Sequence, residues 1–308
     1  MISIGIIGAG IVGERIIRQI QQENGVKIVA VYDENPDRLQ SLKENYGVPI
    51  AATLDEILYS KADWIYIGTP PSSHAELAKM AADAGINILS EKPLAHNAEA
   101  GEQMVASITE NRVRSAMHFP LMYSPAVHEM AKRIKNGSIG EIGRIELHTV
   151  FPVWPRPWQQ TPWIGSRLEG GFIREVFPHY IQLIERIFGN ITITAHQVTY
   201  PAQPELCETG LIALGAVNGS TPLLLSGLSG IGQKELLQFK VYGSQGVLTL
   251  ENWSQLYLDE PQKDRTELTH FAEVPSLFKE MKKMSTALVP FEEGLAVQRI
   301  IDQLLNDE

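Results

Sequence analysis

The chain has 308 residues, 44% hydrophobic and 20% charged, with a formal net charge of -10. That length suits two domains rather than one core. The acidic balance excludes nucleic acid as the main partner, because neutralising phosphates needs clustered Lys and Arg.

The first 120 residues alternate short apolar runs with helical patterns. Strands are expected over 2–7, 26–32, 64–67 and 86–90, and 113–117 is read as a sixth. Helices are expected over 11–22, 36–45, 73–84 and 97–109. Strands apolar on both faces, each followed by a helix, mean a parallel sheet covered on two sides. Right-handed crossovers then give a Rossmann-type, doubly wound sheet. After Ser124 the pattern changes. A helix over 125–136 stops at Gly137, and a long strand covers 142–151. A loop rich in proline and tryptophan follows, then a helix over 172–188 that stops at Gly189. Strand-like segments near 191–199, 206–216, 222–230, 235–243 and 246–250 are punctuated by Gly, Asn, Ser and Pro. A last helix covers 291–305. The fold class is therefore α/β, in two domains. Residues 1–120 are expected to form the first, doubly wound domain. Residues 121–308 form an α+β domain on a large, mainly antiparallel open sheet, with the last helix packing back towards the first domain.

Residues 1–7 are apolar, but no basic region precedes them and glycines follow at once, so they do not read as a signal peptide. No stretch approaches the roughly 18 uninterrupted apolar residues of a membrane span. A cytoplasmic protein with no membrane partner is expected. The single cysteine, Cys207, allows no intrachain disulfide. With Leu206, Glu208 and Leu211 around it, it reads as a buried thiol in a strand. His128, His148, His196 and His270 show no metal spacing, and no metal is expected.

Gly8-Ala9-Gly10-Ile11-Val12-Gly13 follows an apolar strand and opens a helix, the context in which G-x-G-x-x-G marks a dinucleotide site. Gly8 permits the turn, Gly10 lets backbone approach the pyrophosphate, and Gly13 lets helix and strand pack closely. Asp33 ends the second strand, where an acid binds the adenosine ribose hydroxyls and repels a 2′-phosphate. Glu34, Asn35 and Pro36 follow, with no adjacent Arg, so NAD is favoured over NADP. Arg38 keeps a weaker NADP option.

Three further segments carry a resemblance. Gly68-Thr69-Pro70-Pro71-Ser72-Ser73-His74 follows the fourth strand, Glu91-Lys92-Pro93 ends the fifth, and Gly170-Gly171 precedes a helix bearing Glu175 and His179. With the domain order, these segments resemble the glucose–fructose oxidoreductase / inositol dehydrogenase (Gfo/Idh/MocA) family. The resemblance implies oxidation or reduction of sugars, cyclitols or related polyols, and frequent pairing of subunits through the second sheet. It implies that Lys92 touches both nicotinamide and the substrate hydroxyl, that His179 is an acid/base group, and that Glu175 occupies the usual Asp position. It also places Thr69, Pro70, His74 and Glu91 on the cofactor side. The roles are chemically sensible. Hydride transfer from an alcohol carbon needs a base for the hydroxyl proton, and its reverse needs an acid. Glu175 and His179 are four residues apart and share a helical face. The sequence departs from the family at Phe177 and Pro178, before the His, and at Met122, where Arg is common in the segment that here contains Tyr123. Pro178 predicts a kink or a late helix start. A non-catalytic NAD-binding sensor on the same fold, or a reductase of a less sugar-like carbonyl or imine, are the alternatives.

The loop over 151–163 holds three of the five tryptophans, Trp154, Trp158 and Trp163, with Arg156 inside and Arg167 just beyond. Two readings stand: it borders the substrate pocket, or it wraps the sheet and its tryptophans are core. On the first reading Tyr123, Trp154, Arg156, Trp163 and Arg167 touch a small-molecule substrate. His118 is either pocket lining or structural, and the Lys92–Pro93 bond is a candidate cis peptide. Finally, Leu206–Ala216 and Leu223–Leu228 are apolar on both faces. One face covers the domain's own helices, so the other needs a partner, and a homodimer or higher homo-oligomer is expected.

Overall fold

The computed structural model describes residues 1–159 and 161–306. Gln160, within the aromatic loop, and the last two residues of the expected second domain lie outside the described residues. The chain divides into two compact units: Met1–His118 with Pro275–Gln298, and Phe119–Val274 with the chain from Arg299 onward.

In the first unit the order is β1 (Ile2–Ile7), α1 (Ile11–Gln22), β2 (Val26–Tyr32), α2 (Pro36–Tyr46), α3 (Leu54–Leu58), β3 (Trp64–Ile67), α4 (His74–Asp83), β4 (Asn87–Ser90), α5 (Ala98–Asn111) and β5 (Ser115–Met117). The strands pair in parallel in the order β2-β1-β3-β4-β5. All four residues of β3 are buried, as expected of a strand covered on both faces. Local chemistry sets the helix ends. Asn35 caps α2 by accepting from the N–H groups of Asp37 and Arg38, and Gly47 ends that helix in the left-handed region. Asn97 caps α5 through the N–H of Ala100. A short 3-10 turn, Pro71–Ser73, precedes α4.

The expected count of six strands is one too many. The segment read as the sixth strand is β5. Between β2 and β3 the chain makes only one bridge, Ile50 to Val31. Pro49 there accepts from Val31 N–H, and Ala51 donates to Val31 C=O. Proline has no N–H with which to extend the ladder. The Gly68–His74 segment thus follows the third strand, and Glu91-Lys92-Pro93 follows the fourth.

The second unit contains α6 (Pro125–Lys135), β6 (Ile142–Phe151), α7 (Phe172–Phe188), β7 (Ile191–Thr199), β8 (Gly210–Val217), β9 (Thr221–Ser229), β10 (Leu236–Gly243), β11 (Val247–Glu251), β12 (Gln255–Asp259) and β13 (Thr266–Leu268). Its eight-stranded sheet runs β13-β12-β11-β10-β6-β9-β8-β7. The β6–β9 pair is parallel and the others are antiparallel. β12, β13 and α8 (Leu277–Lys283) are short elements with no expected counterpart. β8 starts later than the expected 206. Leu206 forms an isolated bridge to Ser166, and Cys207 precedes the strand. The thiol is nonetheless buried, and burial pushes its pKa up to about 12. Helix α9 (Phe291–Leu305) covers the expected span.

Helix α7 starts at Phe172 with Pro178 inside it, so the late start does not occur. Pro178 leaves the Arg174 carbonyl without its usual i+4 donor. The inner sheet face presents Leu211, Ala213, Leu223 and Leu225, all buried. Phe172 fills the space beside Gly227, where a Cβ would overlap its ring. On the opposite face Ile212, Leu214 and Leu228 are 59%, 52% and 44% exposed.

Candidate functional site

The glycine loop after β1 shows three different constraints. Gly8 has φ +85°, and a Cβ there would come within 2.7 Å of Thr69 N. At Gly13 a Cβ would overlap the Gly8 carbonyl oxygen, whereas at Gly10 it would meet nothing within 4 Å. Gly8 and Gly13 are thus required by the protein's own packing, and Gly10 faces open space. Helix α1 has no side-chain cap, and Gly10, Ile11 and Val12 at its start are exposed. An exposed, uncapped N-terminal turn approached through a glycine suits the pyrophosphate of a dinucleotide.

Asp33 is half-buried. Its carboxylate accepts from Ala9 N–H at 2.7 Å and from Asn35 N–H at 2.9 Å, so it also fastens the end of β2 to the glycine loop. Arg38 donates from Nε to the Ala9 carbonyl at 2.7 Å and pairs with Glu14. The Tyr46 hydroxyl, with Arg18 and Arg38, holds the Glu14 carboxyl down at about 2 against the effect of burial. Arg38 is therefore engaged by the protein itself.

Parallel strands place the next group at their carboxyl ends. Glu91, just past β4, is buried and accepts from the Tyr66 hydroxyl at 2.9 Å and from His118 Nδ1 at 2.5 Å. Burial would push its carboxyl up, but His118, through charge and hydrogen bond, and Lys92 outweigh burial and hold it below the ordinary value. Burial, then Glu91, push the Tyr66 phenol well up. Lys92 is half-buried and its bond to Pro93 is cis. His74 is fully buried, with ring nitrogens at 2.9 Å from the Thr69 carbonyl and 3.2 and 3.1 Å from those of Pro93 and Leu94. It ties the Thr69 loop to the Lys92 turn from beneath, so its place is support rather than a surface for ligand. Thr69 is half-buried and Pro70 exposed.

In the second unit α7 carries Glu175, half-buried, and His179, buried. The His179 ring stands edge-on to Phe119 at 6.0 Å and to Trp253 at 5.3 Å. Tyr180 stacks on Trp253 at 5.4 Å. Its phenol is raised by burial and has no hydrogen-bond partner among the described residues. The Gly170-Gly171 pair has a physical cause. A Cβ on Gly170 would overlap the Ile164 carbonyl, and one on Gly171, whose φ is +100°, would overlap the Glu208 carboxylate. Glu208 is almost fully buried and accepts from Ile173 N–H at 2.7 Å, which caps the start of α7. Burial raises its pKa. Sequence reasoning missed Glu208, Trp253 and Tyr180. Only Gly171 hinted at the first, since nothing local marks a residue that meets α7 from 35 positions away.

The aromatic loop divides between the two readings. Trp154 is packed against Phe151 at 5.0 Å and Phe172 at 6.2 Å, and donates from Nε1 to the Ile164 carbonyl at 3.2 Å, so it is core. Arg156 is buried within the loop. Trp163 is half-buried in a 3-10 turn, Pro162–Gly165. Arg167 is exposed and lies over the Tyr200 ring at 3.7 Å. Tyr123, half-buried, ends the turn Pro120–Tyr123 ahead of α6. No group of three or more His, Cys, Asp or Glu among the described residues could hold a metal ion, and none of their helices is long and apolar enough to cross a membrane.

Residues 2–119 match the profile of an oxidoreductase family with an NAD-binding Rossmann fold, and residues 127–249 match the GFO/IDH/MocA C-terminal domain. The chain belongs to the Gfo/Idh/MocA family. Among its Gfo/Idh/MocA relatives are an uncharacterized oxidoreductase of Streptococcus pneumoniae, 24% identical over 89% of this chain and 79% of that protein, and the inositol 2-dehydrogenase of Rhizobium meliloti, 25% identical over 62% of this chain and 57% of that protein. Two solved structures share the fold. A 3-ketoreductase of Actinomadura kijaniata in complex with NADP and TDP-benzene has a TM-score of 0.83 at 18% identity, covering 98% of this chain and 96% of that one. A levoglucosan dehydrogenase in complex with NADH has a TM-score of 0.82 at 18% identity, covering 98% and 95%.

The Glu91 carboxyl gives this Gfo/Idh/MocA chain a pH signature. Its folded pKa lies below the ordinary 4.5, so the unfolded chain takes the proton first as pH falls. The stability it contributes is intact above the unfolded value and is lost on acidification through the folded one. Urea unfolding should therefore show stability falling between about pH 5 and pH 3, and Glu91→Gln should flatten part of that fall. Parallel pH profiles for the two proteins would refute the role given to Glu91.

Proposed function

We propose that the protein is an NAD(H)-dependent oxidoreductase that moves hydride between nicotinamide and a secondary alcohol or ketone of a sugar, cyclitol or related polyol, working in the cytoplasm. The observation that carries this reading is the glycine loop, where Gly10 opens onto an uncapped helix start while Asp33 stands at the neighbouring strand end. NAD, when bound, supplies the hydride acceptor or donor. Gly8, Ala9, Gly10, Ile11, Val12 and Gly13 hold its pyrophosphate, Asp33 its adenosine ribose, and Thr69 and Pro70 border its nicotinamide end. Lys92 and His179 carry the proton of the reacting hydroxyl, and Glu175 orients the ring or the substrate. Glu91, His118 and Tyr66 hold the turn that presents Lys92.

Cofactor preference follows from charge. NAD(H) should bind more tightly than NADP(H), because Asp33 repels a 2′-phosphate and Arg38 is tied to Glu14. In fluorescence titrations Asp33→Ser should relax the preference, and Glu14→Gln, which releases Arg38, should relax it further. Equal affinities in the unmodified protein would defeat the assignment.

Catalysis is tested with NAD and a panel of polyols, read at the reduced-nicotinamide absorbance band. Lys92→Ala should keep cofactor binding and lose nearly all turnover, and His179→Ala should lose about 10²–10⁴-fold. Normal turnover by both variants would overturn the site. NAD binding with no turnover of any polyol would leave the sensor reading.

The second sheet supports a homodimer. Ile212, Leu214 and Leu228 stand exposed on one face of β8 and β9, and a second copy of that face is the partner best matched to it. Light scattering at micromolar concentration should give twice the mass of one chain, and Ile212→Asp with Leu214→Asp should give a monomer. A single-chain mass for the unmodified protein would exclude a stable pair.

A further inference from the structure

Arg156 is a buried charge in the second unit. The residue is 8% exposed, in a loop that packs three aromatic rings around its guanidinium: Phe151 at 4.8 Å, Trp154 at 5.5 Å and Trp158 at 5.8 Å. Such rings attract a cation but do not take up its N–H groups. Nε and Nη2 are buried with no hydrogen-bond partner among the described residues. One carboxylate is near. Glu235 Oε1 lies 3.2 Å from Nε without forming a hydrogen bond, and its side chain is 41% exposed. A buried guanidinium left so incompletely matched is a standing cost that a bound anion would offset.

Arg156 also stands in the wall of a cavity of about 590 Å³, a size that suits a small ligand. The hydrogen-bonding side chains in that wall are Gln159, Thr161, Ser166 and Glu205, among prolines 155, 157 and 162. Glu205 opposes an anion at its own end and accepts from hydroxyl groups, as Thr161 and Ser166 also can. The wall therefore offers a cation at one place and hydroxyl partners at others. Burial lowers the Arg156 pKa more than its carboxylate neighbours, Glu235 and then Glu175 of α7, raise it.

We propose that the cavity walled by Arg156 binds an anionic group of the substrate, a carboxylate or a phosphate, so that the polyol acted upon is an acidic one. The word substrate rests on the oxidoreductase reading above; the anion site does not. A guanidinium attracts either group by its charge, and the two sources are separated by experiment.

The test is calorimetric titration of the full chain, without cofactor, by D-gluconate, inorganic phosphate and the neutral D-glucitol. Saturable binding of gluconate, absent for glucitol, is expected. Arg156→Met should weaken it at least about tenfold, the scale of a lost charge-assisted hydrogen bond. Arg156→Lys, which keeps the charge without the fork, should fall between the two. Phosphate binding in place of gluconate, equally lost in Arg156→Met, supports the site and identifies a phosphate ester. Should Arg156→Met fail to fold, Glu235→Gln decides: removing the competing carboxylate should tighten anion binding, and unchanged or weaker binding overturns the proposal. Absence of saturable anion binding in the unmodified protein, or binding indifferent to Arg156→Met, also overturns it. Anion binding together with failure to oxidise or reduce any acidic polyol would count against the oxidoreductase reading and leave the anion site standing.

Discussion

Parallel pairing is the constraint on which the first unit depends. It forces β1 to β5 to end at one edge of the sheet, and the turns beyond them carry the glycine loop, Asp33, Thr69, Glu91 and His118. Residues scattered over more than a hundred positions become neighbours because every strand runs the same way. The buried contacts between these turns then fix their shape. Asp33 joins the end of β2 to the glycine loop, His74 joins the Thr69 loop to the Lys92 turn, and Glu91 joins β4 to Tyr66 of β3 and to His118 beyond β5. Each link is a polar group satisfied by a neighbouring turn, which is how irregular backbone can be ordered at a sheet edge.

In the second unit the corresponding demand is to hold one end of α7. Gly170 and Gly171 bring the preceding chain so close that no side chain fits, and Glu208 enters the space that Gly171 leaves open. A carboxylate aimed at a helix start satisfies an orphan N–H and complements the dipole. The helix so fixed carries Glu175 and His179, four residues apart. Around His179 stand the rings of Phe119 and Trp253, each met edge-on.

The aromatic loop shows how one segment serves two ends. Trp154 belongs to the core against Phe151 and Phe172, and in taking that place it helps enclose the Arg156 guanidinium. The rings that stabilise the loop also withdraw the arginine from water and leave its Nε and Nη2 without hydrogen-bond partners among the described residues.

The sequence by itself determined the features that depend on neighbours along the chain. The glycine loop and Asp33 were legible because each role is set within one strand–turn–helix unit. The span of α7 was legible because Gly171 and Gly189 bound an apolar helical pattern. The two-sided apolar character of β8 and β9 was legible from the alternation lost in Leu211–Leu214 and Leu223–Leu225. The strand count was one too high: between β2 and β3 only the bridge of Ile50 to Val31 forms. Tertiary structure alone decided which polar groups would be buried together: Glu91 with His118 and Tyr66, Glu208 with the start of α7, Arg38 with Glu14. It also decided that Trp154 is core while Arg156 has donors unmet among the described residues. Burial and hydrogen-bond satisfaction are properties of distant segments meeting, and no local pattern encodes which carboxylate will face which donor until the chain has folded.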